Sequence, residues 1–162
     1  MNVQVEPGLV IRTAVVADLP PLQRVYRAAS LSNAGDAPLL LARPEYLVFA
    51  GDGIAAGRTL VALAGPPGSG QIVGFATLAA GHDDGPELED LFVDPGWRRR
   101  GVARHLVRQI ANAAREAGGR RLWVTGNPHA LAFYLAAGFV QSDQISTELG
   151  TGLRMSLDLS RN

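Results

Sequence analysis

The chain has 162 residues, 47% hydrophobic and 19% charged, with 15 basic and 15 acidic side chains and no cysteine. That length suits one domain burying roughly 70% of its unfolded surface, and the composition excludes disorder. Zero net charge leaves no global field drawing the protein to nucleic acid or an anionic membrane. The lack of cysteine removes disulfides, thiolate nucleophiles and Cys-ligated zinc. The first residues, MNVQVEPGLVIRTA, lack the charged-then-apolar pattern of a signal peptide, and no apolar run approaches the ~20 residues of a membrane span. The expectation is a single soluble, cytoplasmic domain over residues 1–162.

Residues 9–14, LVIRTA, suit a first strand. Asp18 is a candidate N-cap, and Pro20 and Pro21 fall in the first helical turn, where a missing N–H costs little. Leu22, Val25, Tyr26 and Ala29 follow at helical spacing, which predicts a helix over about 18–30. Residues 31–57 allow one or two short helices, with Pro44 breaking any continuous one. Residues 58–64 and 71–80 are strand-like, and GPPGSG lies between them. Gly65 and Gly70 keep the glycine spacing of a phosphate-binding P-loop, but Gln71 and Ile72 stand where Lys and Ser/Thr belong. A P-loop also leads into a helix, whereas a strand follows here, so the stretch reads as a hairpin turn.

HDDG, residues 82–85, is another turn, and ELEDLFV, residues 87–93, is a strand that Pro95 ends. From Ala103 onward Leu106, Val107, Ile110, Ala113, Ala114 and Ala117 line one helical face, while Arg104, Arg108, Asn112, Arg115 and Glu116 line the other. Gly118 and Gly119 stop that helix. RLWVTG, residues 121–126, is the next strand, so residues 87–126 form a strand–helix–strand unit with parallel strands and a right-handed crossover. Asn127 then caps a helix with Pro128 at its first position, ending at Gly138. Two strands around LGTG complete the chain.

Phosphate chemistry is best supported at VDPGWRRRGVARHL, residues 93–106. Amides at a helix start are unpaired and sit at the positive end of the dipole. Gly101 permits the tight turn, and small Ala103 lets a ligand reach the main chain. Arg98, Arg99, Arg100, Arg104 and Arg108 add charge. The same arginines could decorate a solvated helix start or a nucleic-acid patch, although stacking aromatics are scarce there.

RRRGVA, residues 98–103, matches the [QR]-x-x-G-x-[GA] loop of the GNAT superfamily of N-acetyltransferases. NPHALAFYLAAGF, residues 127–139, resembles that superfamily's second signature, N-x-x-A-x-x-F-Y-x-x-x-G-F, in full. LVIRTAVVADLPPL and RMSLDL resemble its first strand and helix and its last strand, while residues 31–57 match nothing clear. The resemblance implies a mixed α/β fold, with a mostly antiparallel sheet splayed between two parallel strands and flanked by helices. It implies acetyl-CoA as cosubstrate, with no metal. Its pantetheine would pair with the backbone of Leu91, Phe92 and Val93. Its pyrophosphate would rest on amides of Arg99, Arg100, Gly101, Val102, Ala103 and Arg104, beside Arg98. Asn127 and Ala130 would hold its other side.

Acetyl transfer to an amine needs a base, a donor to the thioester oxygen and an acid for the leaving sulfur. The resemblance makes Tyr134 the acid, and the Leu91 N–H is the expected oxyanion donor. LEDLFV, residues 88–93, resembles the polyamine and thialysine acetyltransferase branch, which makes Glu89 the base or amine-orienting group. Glu89 as a plain strand-end charge is an equally open reading, and Asp90 is assigned a salt bridge or subunit contact. His82, Asp83, Asp84 and Glu87 could be a metal cluster, but paired Asp residues beside Gly85 read more simply as a turn. His105 is expected to be exposed. The expected function is acetylation of a small-molecule primary amine, polyamine-, amino-acid- or aminoglycoside-like, with a homodimer carried as an expectation. The alternatives are an acyl-CoA-binding module without turnover, a protein N-acetyltransferase and, remotely, a nucleic-acid-binding protein.

Overall fold

A computed structural model describes residues 3–6, 8–65, 70–82 and 85–160 of the protein. Strands β1 (Val3–Glu6) and β2 (Leu9–Thr13) are followed by helices α1 (Leu19–Leu31), α2 (Ala37–Ala42) and α3 (Asp52–Ala55). Strands β3 (Thr59–Ala64), β4 (Gln71–His82) and β5 (Gly85–Val93) lead to helix α4 (Val102–Glu116). Strand β6 (Arg121–Gly126), helix α5 (Leu131–Ala136) and strands β7 (Val140–Thr147) and β8 (Gly150–Asp158) complete the order. The strands form one mixed sheet in the order β1-β2-β3-β4-β5-β6-β8-β7. β5 pairs with β6 in parallel, at Glu87↔Trp123, whereas β6 with β8 and β7 with β8 are antiparallel. The α/β class and the parallel pair around α4 are thus as the sequence implied.

β3 and β4 pair antiparallel, with Ala64 opposite Gln71. A strand, not a helix, therefore follows Gly70, as the hairpin reading requires. Residues 66–69 of that connection, and Asp83 and Asp84 of the second predicted turn, lie outside the described residues.

The contacts divide the chain into two compact units, residues 1–77 with 90–106, and residues 78–89 with 107–162. In the first, Leu22 and Val25 of α1 share a core with Phe49, Ile54, Val61 and Phe75, and Tyr26 and Phe92 pack against it. Each large side chain buried in this way contributes about 1.5–3 kcal/mol. The Tyr26 ring meets Phe92 edge-on at 4.8 Å. Its hydroxyl donates to the Tyr46 carbonyl at 2.8 Å, while the Gln23 side-chain amide bonds both the N–H and the C=O of Phe49. The short elements of residues 37–55 are therefore moored to α1 by partners at least twenty positions away. In the second unit Leu122 and Val124 of β6, Leu153 and Met155 of β8, and Ile110 and Ala114 of α4 are buried. Trp123 and Thr125 are half-buried, the alternation expected of a strand.

Three expectations change. β2 is not the first strand, because β1 pairs with it antiparallel. Asp18 stands at the N-cap position of α1 without capping it through its side chain. Its carboxylate instead takes two hydrogen bonds from Arg12, at 2.8 and 3.1 Å, and one from the Val15 N–H. The Arg12 bonds hold the Asp18 carboxyl below its ordinary pKa. His105 is buried rather than exposed, at 7%. It lies three positions after Val102, so the inward stripe of α4 is wider than its aliphatic residues alone suggest.

Candidate functional site

In the first unit, β5 ends at Val93 and Asp94 starts a turn. The Asp94 N–H bonds the Val73 carbonyl at 2.8 Å, and its Oδ1 accepts from the Gly96 N–H at 2.8 Å, capping a 3-10 turn at Pro95–Trp97. Arg98 is extended. Arg99 and Gly101 are both left-handed, with φ of +62° and +81°. Glycine adopts such a φ at no steric cost. Arg99 is the one non-glycine residue among those described with positive φ, and it stores strain of about 1–2 kcal/mol. The first bond of α4 runs from the His105 N–H to the Gly101 carbonyl at 3.0 Å. The amides of Val102, Ala103 and Arg104 precede it and have no partner within the helix.

The start of α4 is held against β4 at Gly74. A Cβ there would lie 3.0 Å from Val102 Cγ1 and 3.1 Å from the Phe92 carbonyl oxygen. Arg98 hydrogen-bonds the Ser32 hydroxyl, and the Arg100 guanidinium lies over the Trp97 ring at 4.7 Å. Both cations are therefore anchored beside the loop, while Arg99, Arg104 and Arg108 are exposed. Phe92 turns its ring into the core, 5.5 Å from Phe75, so its neighbours Leu91 and Val93 project from the other face of β5. Asp90 is half-buried, and its charge adds to the burial that raises the Tyr26 pKa.

The second unit holds Glu89, Asn127, Ala130 and Tyr134. Asn127 Oδ1 accepts from the Ala130 N–H at 3.1 Å, capping a 3-10 turn at Pro128–Ala130 that runs directly into α5. That helix puts Tyr134 on β6. A Cβ at Gly126 would lie 3.0 Å from Tyr134 Cε2 and 2.8 Å from Met155 Cε, so the ring packs closely over the bare glycine backbone. Phe133 and Phe139 meet the ring edge-on at 5.2 and 5.3 Å. Tyr134 is 6% exposed, and burial pushes its phenol up to about 12. Its hydroxyl makes no hydrogen bond to another described residue.

Glu89 is exposed and Leu88 before it is buried. Glu87 on this strand forms an ion pair, its Oε1 lying 2.9 Å from Arg154 Nη1. No local sequence pattern signals that pair, which joins residues 67 positions apart. Among the described residues no three His, Asp or Glu side chains come together as a metal site, and no helix is long and apolar enough to cross a membrane.

A sequence model of the acetyltransferase (GNAT) family matches residues 22–139. The chain belongs to the GNAT family. It is 38% identical over 88 residues to the mycothiol acetyltransferase of Rhodococcus erythropolis, covering 54% of this chain and 27% of that protein. It is 33% identical over 114 residues to that of Gordonia bronchialis, covering 64% of this chain and 37% of the relative. The chain thus spans well under half the length of either relative. Among solved structures, a PaiA N-acetyltransferase of Thermoplasma acidophilum in complex with coenzyme A superposes with a TM-score of 0.73. It is 18% identical, covering 93% of this chain and 99% of that one. At that identity the likeness speaks for the GNAT fold.

Proposed function

We propose that this GNAT protein transfers acetyl from acetyl-CoA to a primary amine of a small molecule, with the whole chain serving one reaction. The observation that carries the reading is the left-handed turn at Arg99 and Gly101, which leads into the unpaired amides of α4. Strain of this kind persists where a loop is shaped for a ligand. Amides of Arg99 to Arg104 would take the pyrophosphate, with Arg98 and the other exposed arginines adding charge. The backbone of Leu91 to Val93 would pair with the pantetheine, and Asn127 and Ala130 would support the other side of the cofactor. The names of the mycothiol acetyltransferase relatives support a small-molecule acceptor.

Acetyl-CoA supplies the activated acyl carbon. Glu89, exposed on β5, attracts the acceptor's ammonium and takes the proton that the nitrogen must lose as its bond to carbon forms. The Leu91 N–H donates to the carbonyl oxygen as charge develops there. Tyr134 serves the sulfur that departs as the C–S bond breaks. A phenol near 12 keeps its proton at any physiological pH. Full transfer to a thiolate of ordinary thiol pKa, ~8.5, would run uphill by roughly 5 kcal/mol. Tyr134 therefore acts chiefly by hydrogen bonding the developing thiolate, which takes its final proton from water. Holding both substrates in place supplies much of the rest.

The test is an acceptor screen that follows CoA-thiol release with amino acids, polyamines and aminoglycosides, followed by Glu89→Gln on the best acceptor. The variant keeps the shape and loses the charge. Its deficit, expected at about 10²-fold near neutral pH, should shrink as pH rises and more acceptor arrives deprotonated. A deficit constant into alkaline pH rejects the base role. No thiol release above buffer, with acetyl-CoA bound, leaves an acyl-CoA-binding module.

A further inference from the structure

Helix α1 ends on a cation that the helix itself does not supply. Its last turn holds no basic residue, although the negative end of a helix dipole favours one. Arg98 fills that place from the loop after β5, donating from Nη2 to the hydroxyl of Ser32, the C-cap residue of α1. The hydroxyl gives its own proton to the Ala29 carbonyl at 2.6 Å, so only its lone pairs face Arg98. The bonds run in series, Arg98 to Ser32 to Ala29, and each polarises the next.

Both residues belong to the first unit. α1 meets the segment leaving β5 twice, at the Tyr26–Phe92 ring contact and, six positions further along each segment, at Ser32–Arg98. The two contacts are about 9 Å apart along the helix. The first packs against the core. The second is exposed and directly precedes Arg99, the first left-handed residue of the amide row. Beyond Ser32 the chain turns into α2 on short-range bonds alone. Asn33 Oδ1 accepts from the Gly35 N–H at 2.9 Å, and the Asn33 carbonyl accepts from Asp36 and Ala37 at 3.1 and 2.9 Å. None of residues 31–37 is buried, which marks a turn of low local stability. It leads to Leu39 and Leu41 of α2, both exposed.

We propose that Arg98 is a positioning residue that couples the cofactor loop to the α1–α2 turn. The inference rests on the acetyl-CoA reading and adds a response to it. Pyrophosphate held on the amides of Arg99 to Arg104 fixes the loop, and Arg98 is fixed with it. Ser32 and the turn after it are then held against a stationary donor. Such coupling is reciprocal, so the ordered turn tightens cofactor binding by the factor by which the cofactor orders the turn. One exposed bond to a charged donor sets that factor at about three- to tenfold. The placement of Leu39 and Leu41 then depends on whether the cofactor is bound.

The experiment is hydrogen exchange on the full chain, from sub-second to minute times, with and without saturating CoA. The amides of Gly35, Asp36 and Ala37 are the reporters, and calorimetry measures CoA affinity in parallel. CoA should slow the reporters about threefold or more in the parent. Ser32→Ala should abolish that response while CoA affinity falls no more than about tenfold. Ser32→Thr keeps the hydroxyl and should retain the response. Arg98→Gln should abolish it as Ser32→Ala does, and the double variant should lose no more than either single one. A bond that only braced the fold would speed the reporters in Ser32→Ala equally with and without CoA. That result overturns the coupling. So does a parent that binds CoA without any change at the reporters, or a response that survives in Ser32→Ala, and in each case the cofactor site stands. A parent that does not bind CoA rejects the acetyl-CoA reading itself, and the coupling falls with it.

Discussion

The two turns that lead from a strand into a helix, Asp94–Gly101 after β5 and Asn127–Ala130 after β6, begin with one device and end in different chemistry. Each opens with an Asx–Pro pair whose side chain caps a 3-10 turn, through Gly96 in one and Ala130 in the other. After Ala130 the chain enters α5 at once, and the product is a side chain, Tyr134, set on β6 over Gly126. After Trp97 the chain spends four more residues, two of them left-handed, before α4 begins. The product there is a row of main-chain amides. A site built of backbone is broken by changing conformation or charge at a glycine. A site built of a side chain is broken by removing one atom.

The largest effect should come from Gly101→Asp. It forces an L-residue to φ +81° and adds a carboxylate at the amide row. Loss of acetyl-CoA affinity beyond 100-fold is expected by calorimetry. Gly101→Ala should lose much less, since an added Cβ meets nothing closer than 3.4 Å and the cost is conformational, about 1–2 kcal/mol. If Gly101→Asp binds acetyl-CoA like the parent, the backbone-built half of the comparison is wrong.

Tyr134→Phe is the one-atom cut at the other turn. Ring packing and acetyl-CoA affinity should survive while turnover falls about 10–100-fold, at the low end for acid–base groups because positioning persists. Its stability profile carries a sign. The folded phenol titrates near 12 against 10.0 for an ordinary tyrosine. Tyr134 thus contributes stability that is complete below pH 10 and is lost as pH rises from 10 to 12. Thermal melts from pH 9 to 12 should fall more steeply for the parent than for Tyr134→Phe. Parallel curves would mean that the phenol is not buried as described, and full activity would end its role at the sulfur.

How much of this was legible in the sequence follows from the range of each interaction. The Asn127 cap with Pro128, the glycine turn at Gly101 and the apolar face of α4 are encoded within a few residues, and each reads directly. Asp94–Pro95 carries the same cap, yet Pro95 by itself signals only a strand end. The Glu87–Arg154 pair and the moorings of residues 46–49 to α1 join residues 20 to 67 positions apart. No local pattern announces them. Asp18 shows the same limit from the other side. Its residue type fits a cap, but Arg12 on the preceding strand offers a charged partner that the helix amides cannot match. The place of Tyr134 on the helix after the Asn127 cap is legible through the family signature, whereas its seat on Gly126 is not.

The smallest and sharpest effect should come from Arg99→Gly, because it separates backbone from side chain within the amide row itself. Arg99 holds φ +62° at a cost that glycine does not bear. Against this, glycine gives up more conformational freedom on folding, roughly 0.5–1 kcal/mol. The balance favours the variant by about 0.5–1 kcal/mol, a rise in Tm of about 1–4 °C for a chain of this size. The amide at position 99 is kept, so acetyl-CoA affinity should change less than about threefold if the seat is main chain. A loss above tenfold with a raised Tm would mean that the exposed guanidinium grips phosphate directly, and the loop would be a hybrid of the two kinds of site. An unchanged or lowered Tm would refute the stored strain, and with it the reason for reading this turn as shaped for a ligand.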